Sequence, residues 1–210
     1  MNSSDIKIFI VDDDPSVRRS MARLLNATGY HVETLSSAED YLQTKRSRGP
    51  GCLVLDLQMQ GLNGLELQKT LTEAGREIPI VFVSGHAHVP ESVQAMKGGA
   101  VDFLTKPFDQ KAFLAAIDRA IAKDHVTRKA QTDQRSVDSR LALLTPREDE
   151  VLWQVVKGRL NKQIAFKLEI SEKTVKVHRA RVMEKMRAGS VADLVRLTEK
   201  TNGKNSSSEQ

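Results

Sequence analysis

Five times in the first 125 residues, a short apolar run is followed by a helical pattern. "KIFIV" (7–11), "HVETL" (31–35), "CLVL" (52–55), "IPIVFVS" (78–84) and "VDFLT" (101–105) read as strands. The segments after them, 15–29, 37–45, 64–75, 90–99 and 108–125, read as helices. Pro15 opens the first and Gly29 stops it, while Ser37 opens the second with Asp40 three residues on. Strands that alternate with helices lie parallel, because each chain must cross back before the next strand begins. The repeat therefore predicts an α/β, doubly wound, five-stranded parallel sheet covered on both faces.

A different pattern holds from Leu144 onward, where the chain is all helix. "LTPREDEVLWQVVKG" carries Thr145 as N-cap, Pro146 at the first helical position and Glu148 at the third, with Gly158 as stop. Helices follow at 161–169 (capped by Asn161), 171–189 (Ser171 cap, Gly189 stop) and 190–200. This predicts a second, all-α four-helix domain. The expected boundaries are 1–122 for the first domain, 123–143 for a helical linker and 144–200 for the second. Residues 201–210, "TNGKNSSSEQ", are expected as a disordered tail.

Charge separates the two halves as well. Residues 1–125 hold 14 Lys/Arg against 16 Asp/Glu, and residues 126–210 hold 18 against 11. The first part is near −2 and the second near +7, which favours a polyanion partner for the second. No apolar run approaches bilayer length. The N-terminus meets acids at once and lacks a basic leader, so a cytoplasmic protein is expected. The single Cys52 excludes an internal disulfide and reads as a small core residue.

In an open parallel sheet, ligands bind at the carboxyl ends of the strands. The first strand ends in Asp12, Asp13 and Asp14, the third in Asp56 and the fourth in Ser84, and Lys106–Pro107 follows the fifth. Converging carboxylates repel unless a cation lies between them. An all-oxygen set without His or Cys suits a hard ion, Mg2+ in particular. The same chemistry would serve a Mg2+-dependent phosphatase acting on small molecules, although no substrate cap or dedicated general acid is evident. His86 and His88 read as loop residues near this edge.

"IVDDD", "LVLDLQM", "VFVSGHA" and "GAVDFLTKPF", in that order, resemble the receiver domain of two-component response regulators. The resemblance implies a flavodoxin-like strand order, 2-1-3-4-5. It implies that Asp56 is the phosphoacceptor for a sensor histidine kinase, with slow autodephosphorylation and no other catalysis. Mg2+ would be held by Asp12, Asp13, Asp56 and the backbone carbonyl of Gln58. Ser84 would be the switch hydroxyl, Phe103 the aromatic switch residue and Lys106 the partner of the acyl phosphate, before a cis Pro107. The family usually carries proline where this chain has Gln60, which leaves the loop after Asp56 freer.

"IAFKLEISEKTVKVH" reads as helix, tight connection, helix, with Ile164, Ala165, Leu168, Ile170, Val175, Val182 and Met186 as core. Together with "LTPREDEVL" it resembles the LuxR-type DNA-binding domain of the NarL/FixJ response regulators, the FixJ/StyR-like subgroup above all. The third helix would enter the major groove, with Lys176 and Val177, then Ala180 and Arg181, at base edges. Asn161, Lys162 and Thr174, with Lys173 and Arg179, would bind phosphates, and His178 would pack. The two resemblances imply a phosphorylation-dependent transcription activator that dimerises when phosphorylated. Its partners would be promoter DNA and RNA polymerase.

Overall fold

The computed structural model describes residues 6–44, 49–85 and 89–205, with residues 200–205 as backbone only. The chain divides into two compact units, Met1–Arg128 and Lys129–Gln210.

The first unit alternates β1 (Lys7–Val11), α1 (Pro15–Ala27), β2 (His31–Leu35), α2 (Ala38–Gln43), β3 (Gly51–Asp56), α3 (Gly64–Glu73), β4 (Ile80–Ser84), α4 (Val89–Lys97), β5 (Asp102–Thr105) and α5 (Gln110–Leu141). All strand pairs are parallel, in the order β2-β1-β3-β4-β5. This is the doubly wound sheet that the βα repeat predicts. Successive residues of a strand face opposite sides. Ile8, Ile10, Cys52, Val54, Val81 and Val83 pack on one side with α1 and α5. Phe9, Val11, Leu53, Leu55, Ile80 and Phe82 pack on the other with α2, α3 and α4. Both faces are thus dry, which is why the strands read as unbroken apolar runs.

Strand register brings the strand ends to one edge. Val11 lies beside Leu55, Asp56 beside Val83, and Ser84 beside Thr105. β3 is longer than expected, so Asp56 is the last residue of the strand itself. Gly29 adopts φ +90 just beyond α1, the left-handed conformation that ends a helix. The sequence places helix starts well in this unit: Ser37 caps α2, with its Oγ accepting from the Asp40 N–H at 3.1 Å.

The second unit contains the later part of α5 with α6 (Pro146–Val156), α7 (Asn161–Leu168), α8 (Glu172–Met186) and α9 (Val191–Asn205). The stretch expected as a linker is helix, and its Val137 is buried with Val151, Leu152, Ile164, Val175, Val182, Met186 and Leu194. Arg140 reaches the carbonyl of Met186 at 3.1 Å. Thr145 caps α6 and Glu148 returns a 2.9 Å bond to the Thr145 N–H.

Three helix ends differ from expectation. Leu160, not Asn161, occupies the N-cap of α7, and Gln163 rather than a cap side chain accepts the Leu160 N–H. α8 ends at Met186 instead of Gly189, because Arg187 itself turns left-handed at φ 52 and Ala188 N–H bonds back to the Met183 carbonyl. α9 runs on to Asn205, five residues into the expected disordered tail. An existing helix gains one backbone bond for each residue added, so extension is far easier than nucleation. Residues 206–210 lie outside those described. No helix among the described residues is long and apolar enough to cross a membrane.

Candidate phosphoryl-transfer site and nucleic-acid interface

Asp12 follows β1 directly and Asp56 ends β3, its neighbour in the sheet. Both carboxylates are buried, whereas Asp13 is exposed. One oxygen from each of Asp12, Asp13 and Asp56 lies within 4.8 Å of the others, so the three could hold one divalent cation. Asp14, the third acid of the triplet, does other work. It caps α1, with its Oδ1 accepting from the N–H groups of Ser16 at 2.7 Å and Val17 at 3.3 Å. Those bonds hold its carboxyl below the usual carboxylate range.

Lys106 supplies the positive side of the site. Its Nζ lies 2.7 Å from Asp12 Oδ2 and 3.3 Å from Asp56 Oδ2. Arg18 of α1 donates to the Asp12 carbonyl, a contact the sequence reading missed. The Lys106 N–H donates to the Ser84 carbonyl at 2.7 Å, which joins the ends of β4 and β5. Ser84 is fully buried, and the Lys106–Pro107 peptide is cis.

Asp56 keeps one buried oxygen, Oδ1, without a hydrogen-bond partner. Burial pushes the Asp56 carboxyl up, Lys106 draws it down, and the Asp12 charge raises it again. An orphaned carboxylate oxygen beside two further carboxylates fits a divalent cation, which would satisfy it and relieve the repulsion. Phe103, on β5, is half-buried and stacks on Phe82 with ring centroids 6.1 Å apart.

Two residues that position this loop escaped the sequence reading. Gly64 opens α3 so close to β3 that a Cβ would stand 2.4 Å from the Asp56 carbonyl oxygen. Glu39 of α2 accepts from the Leu62 N–H at 3.0 Å. That bond ties down the loop whose usual proline is replaced by the exposed Gln60. The acid spacing in "SAED" signals a helix start and gives no hint of a bond 23 residues away. His86 and His88 lie outside the described residues.

In the second unit, α8 buries Val175, Val182 and Met186 and turns Lys173, Lys176, Val177, Ala180 and Arg181 outward. Val177 is 46% exposed, whereas the two other valines of the helix, Val175 and Val182, are buried. Ser171 Oγ caps the helix through the Thr174 N–H, and the Thr174 hydroxyl lies 2.8 Å from Ser171 Oγ. Lys162 is exposed at the start of α7. Asn161 and Arg179 are brought together: Arg179 Nη1 donates to Asn161 Oδ1 at 2.9 Å. His178 is half-buried, and its Nδ1 is sequestered without a partner.

Residues 8–118 match the response regulator receiver domain family, and residues 142–198 match the bacterial regulatory proteins of the luxR family. The chain is a response regulator. Nodulation protein W of Bradyrhizobium diazoefficiens is 44% identical over 192 residues, which are 91% of this chain and 85% of that one. Transcriptional regulatory protein FixJ of Rhizobium meliloti is 43% identical, with 92% and 95% covered. The solved structure of the response regulator StyR shares 44% identity, covers 94% of this chain and all of its own, and superposes with a TM-score of 0.85. As a receiver joined to a LuxR-type helix-turn-helix, this response regulator is a phosphorylation-activated, DNA-binding transcriptional regulator.

Proposed function

We propose that Asp56 takes a phosphoryl group from a sensor histidine kinase and that the resulting charge favours a dimer that activates transcription. The observation that carries this reading is the orphaned Asp56 Oδ1, buried beside Asp12, Asp13 and the Lys106 ammonium. In the transfer, an Asp56 oxygen attacks phosphorus, the phosphorus–nitrogen bond of the donor histidine breaks, and the imidazole keeps the electron pair. Asp12, Asp13, Asp56 and the Gln58 carbonyl would hold Mg2+, which supplies neutralisation of the phosphoryl oxygens. Lys106 is already within reach of the acceptor carboxylate and shields the same charge. Water attack on the acyl phosphate would reset the site slowly.

Ser84, at the neighbouring strand end, offers a hydroxyl to a phosphoryl oxygen. Phe103 sits on β5 beside Phe82, two residues before the Thr105 that pairs with Ser84, and turns inward as Ser84 moves. The consequence reaches α4, which exposes Val89, Val93 and Met96 at 76%, 46% and 45%. These positions are spaced i, i+4, i+7 and form one apolar stripe suited to a second receiver. A dimer presents two copies of α8 to two half-sites. In each copy Lys176, Val177, Ala180 and Arg181 meet base edges, while Lys162, Lys173 and Thr174 meet phosphates. Asn161 and Arg179 act on phosphate as a bonded pair.

The test is DNA selection from a random pool with and without acetyl phosphate and Mg2+. Phosphorylated protein is expected to enrich a two-fold symmetric operator, and the Asp56→Asn protein to ignore the phosphodonor. Equal enrichment by both proteins would sink the phosphoswitch.

A further inference from the structure

Phe166 is 89% exposed on α7, and Leu160, just before the helix, is 70% exposed. A phenylalanine that open is unusual beside a core that buries Ile164 and Ala165 from the same helix. Arg159, Lys162, Gln163 and Lys167 line the hollow around the Phe166 ring. Among the described residues, no carboxylate pairs with Arg159, Lys162 or Lys167. Lys162, Phe166 and Lys167 also line a second hollow with Glu169 and Glu172, toward the turn before α8, and Arg159 lines the first hollow only.

DNA is a poor occupant for this face. Its phosphates are matched by cations and gain nothing from an aromatic ring without a base to stack on. A second copy of the chain is also a poor occupant. A two-fold contact sets the same patch against itself and would bring the unpaired cations of both copies together.

We infer that the Phe166 face docks an acidic protein surface bearing an apolar pocket, on the transcription machinery that a DNA-bound regulator meets. The ring is the anchor, and Arg159 and Lys167 select the acidic rim. α7 precedes the groove-entering helix, so a partner seated on it would lie alongside the operator. The inference rests on the DNA-binding reading of the second unit.

The experiment uses the full chain, phosphorylated with acetyl phosphate, on its selected operator, with purified bacterial RNA polymerase holoenzyme as probe. Operator affinity, polymerase recruitment and sedimentation are measured separately for wild type, Phe166→Ser, Phe166→Leu and Lys167→Glu. Phe166→Ser and Lys167→Glu are expected to keep operator affinity within about twofold and to lose recruitment roughly tenfold, the scale of one buried anchor. Phe166→Leu is expected to retain most of it. A parallel loss of operator affinity would make the face a DNA contact, and a change in sedimentation would make it a self-contact. Either result, or unchanged recruitment, overturns the inference. Failure of the wild type to bind any operator would instead remove the DNA-binding reading beneath it.

Discussion

At the scale of single residues, the site depends on close approaches as much as on charged groups. Gly64 has no space for a methyl beside the Asp56 carbonyl, so the backbone of β3 or α3 must move to admit one. Gly64→Ala is expected to destabilise the fold by about 1–3 kcal/mol, the usual cost of overpacking. It should also slow formation of the acyl phosphate. Denaturant midpoints and phosphoprotein mass would check both. Glu148 is a second such residue. The Lys185 ammonium and the Thr145 N–H hold its carboxyl down at about 2, against an ordinary value of 4.5. A depressed carboxyl contributes stability that is complete above pH 4.5 and lost as pH falls toward 2. Glu148→Gln should therefore flatten the acid side of the melting curve of the α6–α9 region, read as Tm against pH on the full chain. An unchanged slope would contradict the Lys185 pairing.

Elements show how local signals combine with distant ones. α6 begins where the capping box says it should, and Thr145→Ala is expected to cost about 1 kcal/mol, measured by urea unfolding. The loop between β3 and α3 lacks its stiffening proline and is held from α2 through Glu39 and Leu62. Glu39→Ala should accelerate loss of the phosphoryl group, because the loop that carries Gln58 would be freed. Adding Gln60→Pro to that variant should restore the lifetime more than the same change does in wild type. Purely additive effects in the four-variant cycle would show that Glu39 does not substitute for the proline. The starts of α2, α6 and α8 were legible because side-chain caps act within three residues, whereas α7 starts without a side-chain cap. Helix ends were less so: Arg187, not a glycine, takes the left-handed turn after α8.

For the whole molecule, the proposed switch converts a charge at the sheet edge into a dimer. Val93→Asp places a carboxylate in the exposed stripe of α4, where burial against a second receiver would be costly. The variant should still form the acyl phosphate yet stay monomeric by sedimentation, and its operator affinity should fall at least tenfold as half-sites are bound singly. A phosphorylated Val93→Asp protein that dimerised normally would move the interface elsewhere. Apolar periodicity and caps are local properties of the chain, so the sheet, the strand ends where acids gather and the helical second unit were legible from residue order alone. Residue order also named Asp12, Asp13, Asp56, Ser84 and Lys106, since parallel strands bring their ends to one edge whatever packs around them. Folding in three dimensions added that Asn161 pairs with Arg179, that Glu39 secures the loop, and that Phe166 is left in water. Each of those depends on which distant residue comes within a few ångströms, and no spacing along a chain encodes that distance.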